Sequence, residues 1–175
     1  MEKILLKRMG IYRHGLERMF LQFDIKKEQL TYINYFEDTP DSALKKCANS
    51  DIIYFTGGLP DKLYLRLQEF NLVDYLSHHN KIIMGDSAGA VIQFKEYHLS
   101  PDADYSKFSY YTGLDMLKNF NIEVHYTGSI AQDDSIQKVT AEKHIPVLAL
   151  IDDSIIIAAS NNITCLGSVK ISFPN

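Results

Sequence analysis

Two short apolar runs, each followed at once by glycine, constrain this chain most. Ile52-Ile53-Tyr54-Phe55 leads into Thr56-Gly57-Gly58, and Ile82-Ile83-Met84 leads into Gly85-Asp86-Ser87-Ala88-Gly89. A short, wholly apolar run suits a strand buried on both faces, as in a parallel sheet. Parallel neighbours need a crossover, and residues 61–79 read as helix broken near Asn71. Ala88–Phe94 reads as the next helix. The stretch 3–23, with Leu5, Met9, Tyr12, Leu16, Met19, Phe20 and Phe23 at helical spacing, predicts a first helix. Thr31–Phe36 predicts a strand, and Pro40 starts a short helix through Ala48. The resulting β-α alternation predicts an α/β fold with a doubly wound, mostly parallel sheet, in one domain spanning 1–175. Residues 95–120, rich in Tyr, Asp and Ser, read as loop. Val147–Ile151, Ser154–Ala159 and Asn162–Phe173 read as β, closing the sheet in a hairpin or meander.

Composition narrows the function. The 175 residues carry 18 Lys and Arg against 22 Asp and Glu, a net charge of −4. That balance argues against an electrostatic nucleic-acid binder. No stretch is apolar for the ~18 residues a membrane span needs, and the first residues lack a secretory pattern. Cys47 and Cys165 are far apart and read as free thiols, which predicts a cytoplasmic protein. The six histidines show no metal-ligand spacing, so neither metal nor cofactor is expected.

Gly85-Asp86-Ser87-Ala88-Gly89 has the GxSxG pattern between a strand and a helix. In that context the turn lifts the Ser87 hydroxyl above the sheet. It also aims the first helical N–H groups, Ala88 among them, at whatever the serine attacks. The same residues would equally make a glycine turn with a serine cap. A serine nucleophile needs a base. His14, His78 and His79 read as surface residues. His125 ends a short β-like run, Ile122–Val124, and strand ends collect site residues in such folds. His98 is the local competitor. Gly57-Gly58 would let a backbone N–H approach a substrate oxygen without a Cβ in the way.

Gly57-Gly58, Gly85-Asp86-Ser87-Ala88-Gly89-Ala90 and Val124-His125-Tyr126 after Gly113-Leu114 together resemble the dipeptidase E (aspartyl dipeptidase) and cyanophycinase family of serine peptidases. The fold of that family is similar to class I glutamine amidotransferases, a flavodoxin-like three-layer sandwich. The resemblance implies hydrolysis of small peptides through an acyl-enzyme. Ser87 is implied as nucleophile and His125 as base, with Gly58 and Ala88 N–H groups as the oxyanion hole. It also implies an acid between the serine and the histidine. Asp102 is favoured for that role, with Asp104 as the alternative.

Two departures stand out. Only 50 residues precede Asp51, fewer than the resemblance implies, which predicts either a sheet without its first strands or an exposed edge paired with a second copy as a homodimer. No Lys or Arg follows His125 before Lys138, so an N-terminal Asp on the substrate lacks the basic partner expected for it. Two other readings compete: a non-catalytic or regulatory relative with a vestigial site, and an α/β-hydrolase-type esterase using the same elbow.

Overall fold

A computed structural model describes residues 2–78, 80–159 and 162–174, with side chains from residue 12 onward. The expected roles of Leu5, Met9, His79 and the turn at Asn161 lie outside that set. The chain packs as two compact units, Met1–Ser50 and Asp51–Asn175. Among the described residues no helix is long and apolar enough to cross a membrane.

The first unit holds helix α1 (Glu2–Leu21), a turn of 3₁₀ helix at Lys27–Gln29 and helix α2 (Pro40–Ala48). Thr39 caps α2. Its hydroxyl accepts the Ser42 N–H while the Ser42 hydroxyl accepts the Thr39 N–H, and Pro40 takes the first turn, where its missing N–H costs nothing. The strand expected at Thr31–Phe36 does not form. Its backbone turns instead: the Asn34 carbonyl accepts the Glu37 and Asp38 N–H groups, and the Asn34 N–H donates to Asp38 Oδ2 at 2.8 Å. β-formers alone make no strand without a neighbouring ladder.

Asp38 then anchors this unit. Lys46 Nζ donates to its carboxylate at 2.7 Å and to the Tyr32 carbonyl at 2.8 Å, and the Ser42 hydroxyl donates to it at 2.7 Å. Burial pushes the Asp38 carboxyl up, but the Lys46, Asn34 and Ser42 bonds outweigh that and hold it below its ordinary range. A carboxyl lowered in the folded state stabilises above its unfolded pKa, about 3.9, and loses that contribution as pH falls through the folded value. Urea unfolding at pH 7 and pH 3 should therefore show an acid-induced drop in midpoint that shrinks in Asp38→Asn. An equal drop in both proteins would remove Asp38 as a cause.

The second unit is mixed α/β. Strand β1 (Ile52–Phe55) leads through helices α3 (Pro60–Glu69) and α4 (Val73–Ser77) to β2 (Ile82–Gly85). Asn71, at φ 54°, breaks the helical stretch where the sequence placed the break. β1 and β2 pair in parallel, Ile52 opposite Ile82 and Phe55 opposite Gly85. Helix α5 (Ala88–Val91) is a single turn, shorter than the Ala88–Phe94 expected.

The segment expected as loop contains an antiparallel pair, β3 (Glu96–Leu99) and β4 (Ser109–Thr112). Tyr97 and His98 are adjacent and both buried, so the period-2 alternation that marks a strand is absent. The stacked Tyr97 and Tyr111 rings, 5.7 Å apart, support the pairing.

β5 (Asn121–Glu123), helix α6 (Ile130–Lys143) and β6 (Val147–Leu150) follow, with β5 and β6 parallel. α6 was not read in the sequence. Its buried face is only Ser135, Ile136, Val139 and Thr140, half of it polar, and Ile130 is exposed. Ser129 caps the helix by accepting the Gln132 N–H. Ile136 and Val139 pack on Val147 and Ala149, with Phe108, Tyr110 and Tyr126 around them. The expected closing hairpin is β7 (Ile155–Ala159) against β8 (Asn162–Leu166). β9 (Val169–Ser172) returns antiparallel along β6.

The parallel pairings thus fall in two small sheets, β1–β2 and β5–β6–β9, with β3–β4 and β7–β8 apart. Among the described residues no ladder joins the two parallel pairs into the single doubly wound sheet expected. The β3–β4 pair lies between β2 and β5 along the chain, in the stretch read as loop from the sequence.

Candidate active site

The end of β1 and the end of β2 meet around α5. The Asp86 N–H donates to the Phe55 carbonyl at 3.0 Å, tying the turn after β2 to β1. Both glycines of GxSxG are required by close approach. A Cβ on Gly89 would lie 2.2 Å from the Phe55 carbonyl oxygen, and one on Gly85 would lie 2.2 Å from the Gly89 carbonyl oxygen. Ser87 sits between them at φ 50°, ψ −110°. That backbone is rare for a residue with a Cβ, and such strain persists only where the surroundings impose it. The β1–α5–β2 packing imposes it here, and the serine stands at the mouth of a pocket of about 380 Å³.

His125 follows β5 and is also left-handed, at φ 53°. Its carbonyl accepts from Gln132 Nε2 of α6 at 3.0 Å, and the next N–H, of Tyr126, donates to the Leu150 carbonyl at the end of β6. Those two bonds fix the ring between the turn after β2 and the loop after β6. His125 Nε2 lies 2.7 Å from Ser87 Oγ. His125 Nδ1 lies 2.6 Å from Asp152 Oδ1. A carboxylate on Nδ1 makes that nitrogen the protonated one, so Nε2 is left to accept the Ser87 O–H.

The carboxylate beside His125 is neither of the two expected from the sequence. Neither Asp102 nor Asp104 reaches His125 Nδ1. Asp102 Oδ1 accepts the Asp104 and Tyr105 N–H groups at 2.8 and 2.7 Å, closing an Asx turn. Both residues line the pocket from the side of the β3–β4 connection. The carboxylate on His125 comes from the loop after β6, in Asp152-Asp153, which the sequence presents as a plain turn between strands. Its signal was its place at the end of an apolar strand, as for the other site residues. The loop is held by β9: the Ile151 N–H and the Ser154 hydroxyl both donate to the Ser168 carbonyl, the latter at 2.6 Å.

Gly58, at φ 134°, and Ala88 line the same pocket. Neither amide N–H is taken by a partner among the described residues. Two free N–H groups beside a serine can receive an oxyanion. Gly57 sits behind them, where a Cβ would come within 3.1 Å of Asp86 Oδ2 and 3.6 Å of Ser87 Cβ.

His98 takes a different place from the one considered for it. It is 2% exposed on β3, its Nε2 2.8 Å from Glu123 Oε2, and the Ser100 hydroxyl donates to the same oxygen at 2.8 Å. His14 pairs with Glu17 at the surface of α1, and His78 lies exposed after α4. His144 ends α6 in a left-handed cap. Beside the site, Tyr126 and Lys170 both donate to Asp133, which holds the Asp133 carboxyl below its ordinary range. Lys170 also donates to the Tyr126 hydroxyl at 2.6 Å, and that bond, with the one to Asp133, holds the ammonium above its own range. Tyr105 donates to Asp61 at 2.7 Å, and burial together with that carboxylate pushes the phenol up.

Comparison with known proteins identifies the family. The sequence matches Peptidase family S51, the dipeptidase E family, over residues 8–166. The chain therefore belongs to that family of peptidases. Among solved structures it is similar to a 1.5 Å crystal structure described as a candidate peptidase E from Listeria monocytogenes EGD-e. The TM-score is 0.56 at 18% identity, covering 77% of this chain and 68% of that one. No curated protein matches the sequence.

Proposed function

We propose that this protein is a serine peptidase that cleaves amide bonds of small peptides. The observation that carries the reading is the hydrogen-bonded line Ser87–His125–Asp152, at 2.7 and 2.6 Å, on an elbow whose serine has a left-handed backbone. Ser87 Oγ attacks the scissile carbonyl while its proton passes to His125 Nε2. The tetrahedral oxyanion is received by the Gly58 and Ala88 N–H groups. Asp152 holds the imidazole in the right tautomer and offsets the charge of the imidazolium. The imidazolium then protonates the leaving amine, and the acyl group stays on Ser87. Water, deprotonated by His125, releases the acid and restores the hydroxyl.

Family membership supports peptidase chemistry, and the parallel pairs β1–β2 and β5–β6 are in keeping with a shortened flavodoxin-like sheet. The test is intact-protein mass after treatment with a fluorophosphonate. One adduct is expected on the wild type and none on Ser87→Ala. Folded wild-type protein with no adduct would sink the reading.

A further inference from the structure

The pocket beside Ser87 is lined by three carboxylates, Glu123, Asp102 and Asp104, and by no Lys or Arg among its described residues. Asp102 is partly spent on its own turn. Glu123 is not. It is 6% exposed, and both bonds it receives, from His98 and Ser100, go to Oε2. Oε1 accepts nothing from the described residues, although the residue faces the pocket.

His98 sharpens the point. It is 2% exposed and lines the same pocket. Its Nε2 faces the Glu123 carboxylate, and its Nδ1 is buried without a partner among the described residues. A buried polar atom left unpaired beside a carboxylate costs free energy. Lys170 and Lys62 pair elsewhere, with Asp133 at 3.0 Å and Asp61 at 3.5 Å, and neither lines the pocket.

Glu123 ends β5 two residues before His125, and both line the pocket with Ser87.

We propose that the pocket selects peptides whose N-terminal residue is cationic, lysine or arginine, with Glu123 and Asp104 facing the positive charge. This rests on Ser87 being the nucleophile. A substrate with an N-terminal Asp would meet carboxylates and no Lys or Arg there, and like charges in a pocket repel.

The test compares rates of Ser87 modification by three α-aminoalkyl phosphonate diphenyl esters, the analogues of lysine, norleucine and aspartate. In each, a Ser87 Oγ–phosphorus bond forms, a phenoxide–phosphorus bond breaks, and the serine proton leaves through His125 with the phenol. The lysine analogue should react at least about tenfold faster than norleucine, and the aspartate analogue slowest. The lysine-to-norleucine ratio should fall towards one in Glu123→Gln and by about threefold in Asp104→Asn. It should also fall as salt rises from about 0.05 M to about 0.5 M. If Glu123→Gln does not fold, the exposed Asp104 and the salt series still decide. A fluorophosphonate adduct with lysine no faster than norleucine overturns the selectivity and leaves the serine reading standing. No fluorophosphonate adduct at all overturns both.

Discussion

Asp152→Asn should lower turnover of a peptide substrate by about 10²–10³, while Asp102→Asn should change it less than about tenfold. In a protease triad whose acid is buried, the same change costs about 10⁴ because the imidazole adopts the wrong tautomer. Here Asp152 is an exposed carboxylate, 78% accessible at its side chain. Water screens its charge and can replace part of its hydrogen bonding, so the smaller loss is expected. Its exposure also means that the change removes little packing. A denaturation midpoint within error of wild type should accompany the loss of rate. Asp102→Asn keeps an oxygen that can accept the Asp104 and Tyr105 N–H groups, so the turn survives. The reverse ranking would transfer the role of acid to Asp102 and dismiss the 2.6 Å contact as incidental.

A larger effect is expected at the other two positions. Ser87→Ala and His125→Ala should each cost about 10⁴–10⁶ in turnover, and the double variant should cost no more than the worse single one. The reason is that the pair acts as one unit. Without the hydroxyl the imidazole has no proton to take, and without the imidazole the hydroxyl is a poor nucleophile. What remains in all three is whatever the Gly58 and Ala88 amides supply to a carbonyl attacked directly by water. Additive losses in the double variant would show that histidine and serine work in separate steps. The measurement is single-turnover kinetics on the three proteins with one peptide, which separates chemistry from binding.

Much of this site could be read along the chain. Ser87, Gly58 and His125 all stand at strand ends, and the glycines around the serine announce a backbone too crowded for a Cβ. The pairing of β1 with β2 followed from two apolar runs joined by a helical stretch. The carboxylate on His125 did not follow. Asp152 is separated from His125 by the whole of α6 and β6, and an Asp-Asp turn carries no mark that distinguishes a hydrogen-bonding carboxylate from a solvated one. Asp102 had a better local context and a worse position. β3 and β4 were hidden for a related reason: Tyr97 and His98 are both buried, one against Tyr111 and the other on Glu123, so burial there follows contacts between distant segments instead of the alternation of a pleat. α6 was concealed by its polar buried face, where Ser135 and Thr140 return their hydroxyls to carbonyls of their own helix. The strand misread at Thr31–Phe36 is the opposite failure. Its composition favours β, but Asn34 and Asp38 close a turn that no local scale of strand preference anticipates.

The loop that carries Asp152 is closed by Ser168, and β9 is the strand that holds Ser168 against β6. Residues 168–172 emerge from the ribosome later than every other part of the site. Under the proposed function, a chain cut before Ser168 would keep Ser87 and His125 and lose the tie that closes the Asp152 loop, so the last strand governs the carboxylate and not the nucleophile.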